Sequence, residues 1–406
     1  MKAYESSERY EGKVRECCNY AARTAKNFAT AGNNTKRQAC GEDEKRLAEA
    51  LQADLSSFAD TVTEEHFTAD QAAYILSNLL IFIFMLVSAA AGVCACIFYE
   101  KDFVLWLLIG AALFAFLAFL GFFGVFGGTS KNVEGQNIFA IRNAKEEVKK
   151  RVVIEANLDA PFKRSCKPST ARVFKLVTFI GILLYLAFDI VSLLVNRGGI
   201  DFAMSDKFIF ISFPLVIFAI FPLILSRSVS ANSSFPGVVD NLVGCYTAAG
   251  ALRYMSEMDL RLNNTELCVL LTGAKNANHT GAKTYCKLHD DSDKAVDTTI
   301  ISLDSLFNAE TISVLTNGKK ITTVMAGAAT DANVNILEYQ PKQIKKNGSM
   351  KIFKKNKYAC ATITSLTDKT PAYYGTKADD ETNINVKAIE NAMKLCLEAA
   401  YAIDAE

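Results

Sequence analysis

Histidine and tryptophan are the scarcest residues in this sequence. Its 406 residues include one tryptophan and only three histidines, His66, His279 and His289. Imidazole is a usual zinc ligand, so three histidines leave little room for a histidine-rich zinc site. An excess of charge is also missing, because 44 basic residues face 43 acidic ones and the formal net charge is +1. A nucleic-acid partner is therefore not expected.

The cysteines show no pattern that would indicate disulfide bonds. There are eleven of them, with no CxxC pair and no repeated spacing. An odd, scattered set indicates reduced thiols in the cytosol rather than a disulfide framework. The first residues are polar and charged, without the pattern of a cleavable secretion signal.

Long apolar runs are abundant. Half of the residues are hydrophobic and the mean hydropathy is +0.16, which is high for a soluble protein. Four runs are near or above the ~20 residues that cross the hydrocarbon core of a bilayer. They are residues 73–99, 103–126, 173–195 and 208–225. Short loops separate the first from the second and the third from the fourth, so the sequence predicts two transmembrane hairpins.

Each hairpin returns the chain to the side that it left, which predicts one discontinuous soluble domain. Its three parts are residues 1–72, 127–171 and 227–406, and the hairpins occupy 73–126 and 172–226. Lysine and arginine near the membrane are more frequent on the soluble side than in the opposite loops. The positive-inside rule then places the soluble domain and both termini in the cytoplasm. We expect an integral membrane protein of four spans, with the lipid bilayer as a partner.

The soluble segments alternate helical and extended patterns. Residues 41–59 and 386–403 have the apolar spacing of amphipathic helices, and residues 266–274 and 298–306 are short apolar runs typical of buried strands. Residues 137–162 are expected to contain a β-hairpin. Alternating strands and helices favour a largely parallel sheet covered on both faces.

Six segments, taken in order, resemble the di-zinc aminopeptidases of metallopeptidase family 28. GEDEKRLAEALQADL resembles the opening helix of that family, and RVVIEANLDAPF resembles the strand that ends in a His-x-Asp motif. FPGVVDNLVGCYTAAGALRYM resembles the helix that begins with a metal-bridging aspartate, and VLLTGAKNANHTGAKTYCK resembles the segment with a Glu-Glu pair. ISLDSL resembles the strand with a further aspartate, and PAYYGTKADDETNIN resembles the tyrosine-rich loop with the last histidine. The resemblance implies an α/β fold: an aminopeptidase-like three-layer α/β/α sandwich with a mixed, mostly parallel sheet, into which the four transmembrane helices are inserted as two hairpins.

Transferred residue by residue, the resemblance implies a degenerate metal site. Asp240 falls at the bridging carboxylate, and Asp304 falls at a terminal ligand of the first metal. Asn157 stands where that metal has its histidine. Asn276 and Gly375 replace the glutamate and the histidine of the second metal. The family would use two zinc ions, whereas Asp240 and Asp304 remain here as weak metal candidates.

The general base of the family is also replaced, because Lys275 stands at its position. Asp159, which orients the first histidine in the family, is kept with no histidine to orient. An all-oxygen set suits Mg²⁺ or Ca²⁺ weakly and zinc poorly, so no cofactor and no catalytic residue are expected. We hypothesise that Lys275 pairs with Asp240 or Asp304, which would offset the cost of clustering two carboxylates.

The function that these residues favour is non-catalytic: a membrane-anchored pseudopeptidase that serves as a binding or scaffold module for a peptide or protein partner. The alternative is a zinc-dependent membrane aminopeptidase with a rebuilt site. A transporter-like role is a third reading, with little support because the spans carry a single acidic residue, Asp189. Asp240 and Asp304 are equally open to a merely structural role as caps of a helix and a strand. His279 and His289 are expected at helix surfaces.

Overall fold

The computed structural model describes residues 2–31, 37–70, 73–97, 102–122, 132–164, 168–197, 205–337, 348–367 and 370–406. The chain divides into two compact units. The first comprises Met1–Ala69, Val133–Phe162 and Asn232–Glu406, and the second comprises Asp70–Asn132 and Lys163–Ala231.

The strands, in chain order, are β1 (Thr61–Asp70), β2 (Asn132–Arg142), β3 (Lys150–Asn157), β4 (Phe162–Arg164), β5 (Val229–Ser234), β6 (Thr265–Thr272), β7 (Asp297–Asp304), β8 (Ser313–Thr316) and β9 (Ala359–Thr364). The helices are α1 (Tyr10–Thr30), α2 (Glu42–Ser56), α3 (Ala73–Ile97), α4 (Asp102–Phe122), α5 (Pro168–Asn196), α6 (Ser205–Ser228), α7 (Val243–Glu257), α8 (Thr280–Leu288), α9 (Asp290–Ala295), α10 (Lys319–Asp331), α11 (Met350–Lys355) and α12 (Val386–Ala405).

Seven strands form one mixed sheet in the order β1-β2-β6-β3-β7-β9-β8. The pairs β3/β6, β3/β7 and β7/β9 are parallel, whereas β2/β6 and β8/β9 are antiparallel. The predicted hairpin within residues 137–162 is wrong, because β6 lies between β2 and β3. The reason is visible in β3, where Val152–Asn157 are all buried, as suits a central strand with a neighbour on each side.

Helices cover both faces of this sheet. Successive side chains of a strand point to opposite faces. Val152 and Ile154 belong to a large apolar cluster that continues into α1, α2, α7, α10 and α12. Val153 belongs to a second cluster that continues into α8 and α11. The mixed α/β architecture predicted from the sequence is therefore present in the first unit.

The second unit contains α3, α4, α5 and α6. Three stretches in the described part of the chain are long and apolar enough to cross a membrane: Ser77–Ala95, Asp102–Leu120 and Arg172–Asn196. The fourth predicted span, 208–225, falls in α6, whose described apolar part is the shorter Leu215–Arg227. The end of the second predicted span, 123–126, lies outside the described residues. Three candidate spans are thus found, and the number four stays a prediction.

The acidic residue of the predicted spans has a polar neighbour in the same unit. Ser88 Oγ of α3 donates a 2.9 Å hydrogen bond to Asp189 Oδ2 of α5. A carboxylate in an apolar helix is costly unless another polar group contacts it. Asp189 therefore has a structural partner.

Candidate functional site

The candidate site lies where three neighbouring parallel strands end. Asn157 is the last residue of β3 and Asp304 is the last residue of β7. Lys275 follows the end of β6 by three residues. Because β6, β3 and β7 are adjacent and parallel, their carboxyl ends meet at one edge of the sheet, where ligands of open α/β sheets bind. The topology thus brings together residues that are far apart in the sequence.

A buried ammonium group lies at this edge of the sheet, and we call the group of residues around it the cleft. Lys275 Nζ donates to Asp304 Oδ2 at 2.8 Å and to Asn157 Oδ1 at 3.0 Å. The exposed fractions of the Lys275 and Asp304 side chains are 13% and 7%. Burial acts to lower the pKa of Lys275, but the charges of Asp304 and Asp240 outweigh it and raise that pKa. The ammonium therefore stays charged, and the ion pair hypothesised for Lys275 is present with Asp304.

The second carboxylate, Asp240, is linked to the first through hydroxyl groups. Tyr374 Oη donates to Asp240 Oδ2 at 2.8 Å. Ser305 Oγ lies 3.1 Å from Tyr374 Oη and donates to Asp304 Oδ1 at 2.7 Å. Burial raises the pKa of Asp240 to about 6; Lys275 opposes this shift and Asp304 adds to it. The two carboxylates thus share one hydrogen-bonded network.

Asp159 holds the loop that carries Lys275. Its carboxylate accepts from the backbone N–H groups of Lys275 (2.9 Å) and Asn276 (2.7 Å), and from Asn276 Nδ2 at 2.8 Å. Asn157 Nδ2 in turn donates to Asp159 O at 2.7 Å. Asp159 therefore has a positioning role that the sequence did not suggest. Asn276 is engaged with Asp159 rather than with either of the other two carboxylates.

Gly375 makes no contact of the kind that a metal ligand at this position would make. Its φ is +65° and no atom lies within 4 Å of where a Cβ would stand. The preceding residue, Tyr374, reaches the site instead. Sequence reasoning also missed Ser305 and Asn241. Asn241 Nδ2 donates to Leu303 O at 2.6 Å, and only its place beside Asp240 could have indicated it.

A buried arginine, also missed from the sequence, ties together the loops beneath the site. Arg37 is 0% exposed. It donates to the carbonyl oxygens of Leu158 (3.0 Å), Pro236 (2.8 Å) and Gly237 (2.7 Å). These carbonyls belong to the loops that present Asp159 and Asp240. Arg37 therefore fixes the distance between the two loops.

The two histidines expected at helix surfaces, His279 and His289, are both partly buried. The side chain of His289 is 21% exposed; its ring stacks on Tyr285 with centroids 4.5 Å apart, and its Nε2 lies 2.5 Å from Glu65 Oε1. His279 directly precedes α8. Its Nδ1 is buried and has no hydrogen-bond partner among the described residues. Burial, together with the nearby charge of Lys275, lowers the pKa of His279 to about 4.

Residues 226–400, which include Asp240, Lys275 and Asp304, match the model of Peptidase family M28. Over these residues the chain is similar to peptidase family M28. The family resemblance predicted from the sequence is therefore confirmed. No curated protein matches the sequence.

Solved structures of similar fold include zinc enzymes. A zinc aminopeptidase from Bacillus subtilis, BSAP, is 13% identical, with a TM-score of 0.55 and coverage of 95% of this chain and 94% of its own. A Zn-dependent exopeptidase from Parabacteroides distasonis is 11% identical, with a TM-score of 0.53 and coverage of 95% and 97%. Glutaminyl cyclase from Bacteroides thetaiotaomicron is 11% identical, with a TM-score of 0.51 and coverage of 95% and 97%. At these identities the likeness shows the M28-like fold alone.

The prediction that no cofactor is used is contradicted by these comparisons. Family M28 and the neighbouring peptidases are zinc-dependent. The prediction, and the weak Mg²⁺ or Ca²⁺ site considered with it, came only from counting replaced ligands. Ligand replacement at motif positions does not by itself abolish the metal requirement of a family. Zinc is therefore the cofactor with which this chain has to be tested.

The donor set of the cleft, however, does not fit a pair of zinc ions. Protein zinc sites are built from cysteine, histidine and carboxylate ligands, usually three or four to a metal. In the described part of the chain, no group of three such residues could hold a metal ion. An ammonium and an amide, Lys275 and Asn157, contact the Asp304 side of the cleft. We derive no catalytic step through zinc.

Proposed function

We propose that this chain is a membrane-anchored member of family M28 that has lost peptidase catalysis and uses its cleft as a binding module. One observation carries the proposal: the ammonium of Lys275 donates to Asp304 and Asn157 in the middle of the cleft. The sequence resemblance gives Lys275 the position of the general base.

An ammonium cannot do the work of that base. A general base must accept a proton from the attacking water near neutral pH. The pKa of Lys275 is raised by Asp304 and Asp240 against the opposing effect of burial, so this group has no free electron pair in the working range. It can instead bind an anionic or carbonyl group of a ligand as a fixed donor.

A peptide is the proposed ligand, by analogy with the solved neighbours. Two of them are named as an aminopeptidase and an exopeptidase. The analogy concerns the fold and the cleft, so it supports the class of ligand and not a particular sequence.

The competing function is a zinc-dependent membrane aminopeptidase, which the zinc dependence of the neighbours favours. The test is an assay of the purified full chain on fluorogenic aminoacyl substrates, with added Zn²⁺, Mn²⁺ or Co²⁺ and with metal analysis of the protein. The B. subtilis aminopeptidase in the same detergent is the positive control. We expect no turnover above that of an Asp240→Ala variant. Metal-dependent turnover that this variant lacks would establish the enzyme instead.

We further propose that the anchor has four spans, with the soluble unit and both termini in the cytoplasm. Support comes from the three candidate spans and from the distribution of basic residues in the sequence. Glycosylation acceptor sites inserted in turn at residues 100–102, at residues 199–203 and at both termini test this. We expect modification only at the two loops; a modified terminus would reverse the orientation.

A further inference from the structure

A cluster of three lysines lies beside the cleft on α8 and α11. The two helices share the apolar cluster beneath them, where the rings of Tyr285 and Phe353 lie 6.5 Å apart. This packing leaves Lys283 of α8 exposed together with Lys351 and Lys355 of α11. We call these three residues the lysine cluster.

The lysine cluster has no neutralising partner in the described part of the chain. Among the described residues, the side chains of Lys283, Lys351 and Lys355 form no ion pair and no hydrogen bond. Burial and the charges of Lys355 and Lys351 lower the pKa of Lys283, and no carboxylate opposes them. Like charges held together repel one another, and an anion that binds between them relieves the repulsion.

His279 connects the lysine cluster to the cleft. Its backbone N–H donates to the carbonyl oxygen of Lys275 at 3.0 Å, and its own carbonyl oxygen accepts from the backbone N–H of Lys283 at 3.0 Å. Its buried Nδ1 lacks a hydrogen-bond partner among the described residues. A buried polar nitrogen without a partner is unfavourable. The polar surface therefore continues from Lys275 past His279 to the lysine cluster.

We propose that the lysine cluster and His279 form a subsite for acidic side chains of a peptide that lies in the cleft. The inference rests on the proposed function, because it concerns the ligand of the same cleft. Carboxylates complement the three ammonium groups, and the neutral imidazole supplies a further polar contact. An anionic membrane surface would also meet the lysines, but the backbone hydrogen bonds that join Lys275, His279 and Lys283 place the lysine cluster next to the cleft, where the peptide is proposed to bind. The peptide is thus the occupant that the geometry favours.

The test compares two fluorescein-labelled hexapeptides, one of glutamate and one of glutamine, by fluorescence anisotropy with the full chain in detergent. The variant replaces Lys283, Lys351 and Lys355 by glutamine. A matched control replaces the exposed Lys26, Lys145 and Lys149, so the change in net charge is equal. We expect the glutamate peptide to bind about tenfold more tightly than the glutamine peptide, as three exposed charge pairs would give. That preference should disappear in the variant, persist in the control and weaken with salt.

Equal binding of the two peptides, or equal loss of the preference in the control, would overturn the proposal. Phosphatidylserine vesicles form a second arm. If the vesicles bind to the wild type but not to the lysine variant, and the glutamate peptide does not bind, the lysine cluster binds a lipid surface instead. His279→Ala should weaken the glutamate peptide without changing vesicle binding.

The two proposals fail in different ways. If the chain hydrolyses peptides, the non-catalytic function is lost. The subsite is then tested by the ratio of KM values for glutamyl and glutaminyl substrates. If no turnover occurs and the chain binds the glutamate and glutamine peptides with equal affinity, the subsite alone is rejected.

Discussion

Lys275 Nζ lies 2.8 Å from Asp304 Oδ2, and both side chains are largely shielded from solvent. The pair joins the loop after β6 to the end of β7. Removing one partner of such a pair leaves an uncompensated charge, which costs more than the pair itself contributes.

We therefore expect Lys275→Met to lower the free energy of unfolding by about 3 kcal/mol. The measurement is thermal unfolding of the purified chain followed by circular dichroism. Lys294→Met is the control: its ion pair with Asp290 has a similar N–O distance of 2.6 Å but is exposed, so its loss should cost less than about 1 kcal/mol. The double variant Lys275→Met with Asp304→Asn should recover part of the stability. Equal unfolding temperatures for Lys275→Met and Lys294→Met would contradict this account of the cleft.

Asp379 is expected to make stability fall as pH rises. It is fully buried, and burial raises its pKa from 3.8 to about 7; the N–H of Val239 opposes this shift and Asp240 adds to it. Between about pH 4 and pH 7 the folded state keeps a proton that the unfolded state has lost. The free energy of unfolding therefore decreases over that window, by on the order of 4 kcal/mol.

Asp379→Asn removes this titration while keeping an oxygen acceptor for Val239 N–H, which contacts Oδ1 at 2.9 Å. Unfolding temperatures at half-unit steps from pH 4 to pH 8 should give a flatter curve for the variant. A smaller slope should remain below pH 6 because Asp240 also has a raised pKa, of about 6. Asp290→Asn, at a position where the side chain is 50% exposed, should reproduce the wild-type curve. Parallel curves for Asp379→Asn and wild type would show that Asp379 is ionised in the folded state.

Arg37 is predicted to be required for the shape of the cleft. It donates to three carbonyl oxygens on two loops, and a lysine cannot reproduce that planar fork. Arg37→Lys should lower the free energy of unfolding by about 3 kcal/mol, since hydrogen bonds from charged groups contribute about 1.5–3 kcal/mol each. Limited proteolysis and thermal unfolding provide the readouts. Arg46→Lys, at an exposed position on α2, is the control and should change neither the proteolysis pattern nor the unfolding temperature. If Arg37→Lys is as stable as wild type, Arg37 does not have the positioning role.

Gly375 is expected to resist restoration of a histidine. Its φ of +65° strains any residue with a Cβ although space is free around it, and that strain costs about 1–2 kcal/mol. Gly375→Ala should therefore destabilise the chain. Gly327→Ala, in helix α10 with equally free space, should instead stabilise it by up to about 1 kcal/mol. Thermal unfolding is the measurement: the unfolding temperature should fall for Gly375→Ala and rise for Gly327→Ala. If Gly375→Ala stabilises the chain instead, the loop adopts another conformation.

Much of the fold was predictable because its elements have strong local patterns. The helices near residues 41–59 and 386–403 and the buried strands β3, β6 and β7 follow the apolar spacing of the sequence. The hairpin prediction failed because periodicity identifies a strand and not its neighbour: β2 pairs with β6, which lies more than 100 residues further along the chain. Two strands that pair across so long a loop leave no signal of their pairing in the local sequence of either strand.

The sequence by itself indicated the resemblance to family M28. It also predicted that Asn157, Asn276 and Gly375 stand at ligand positions and Lys275 at the position of the general base. Those predictions depend only on residue identity and order. Tertiary structure decided which contacts these residues make: Lys275 pairs with Asp304, Asp159 holds the loop of Lys275, and Tyr374 donates to Asp240. The physical reason is that these contacts form where the ends of separate strands meet, and strand order is set by packing of the whole sheet rather than by any single segment.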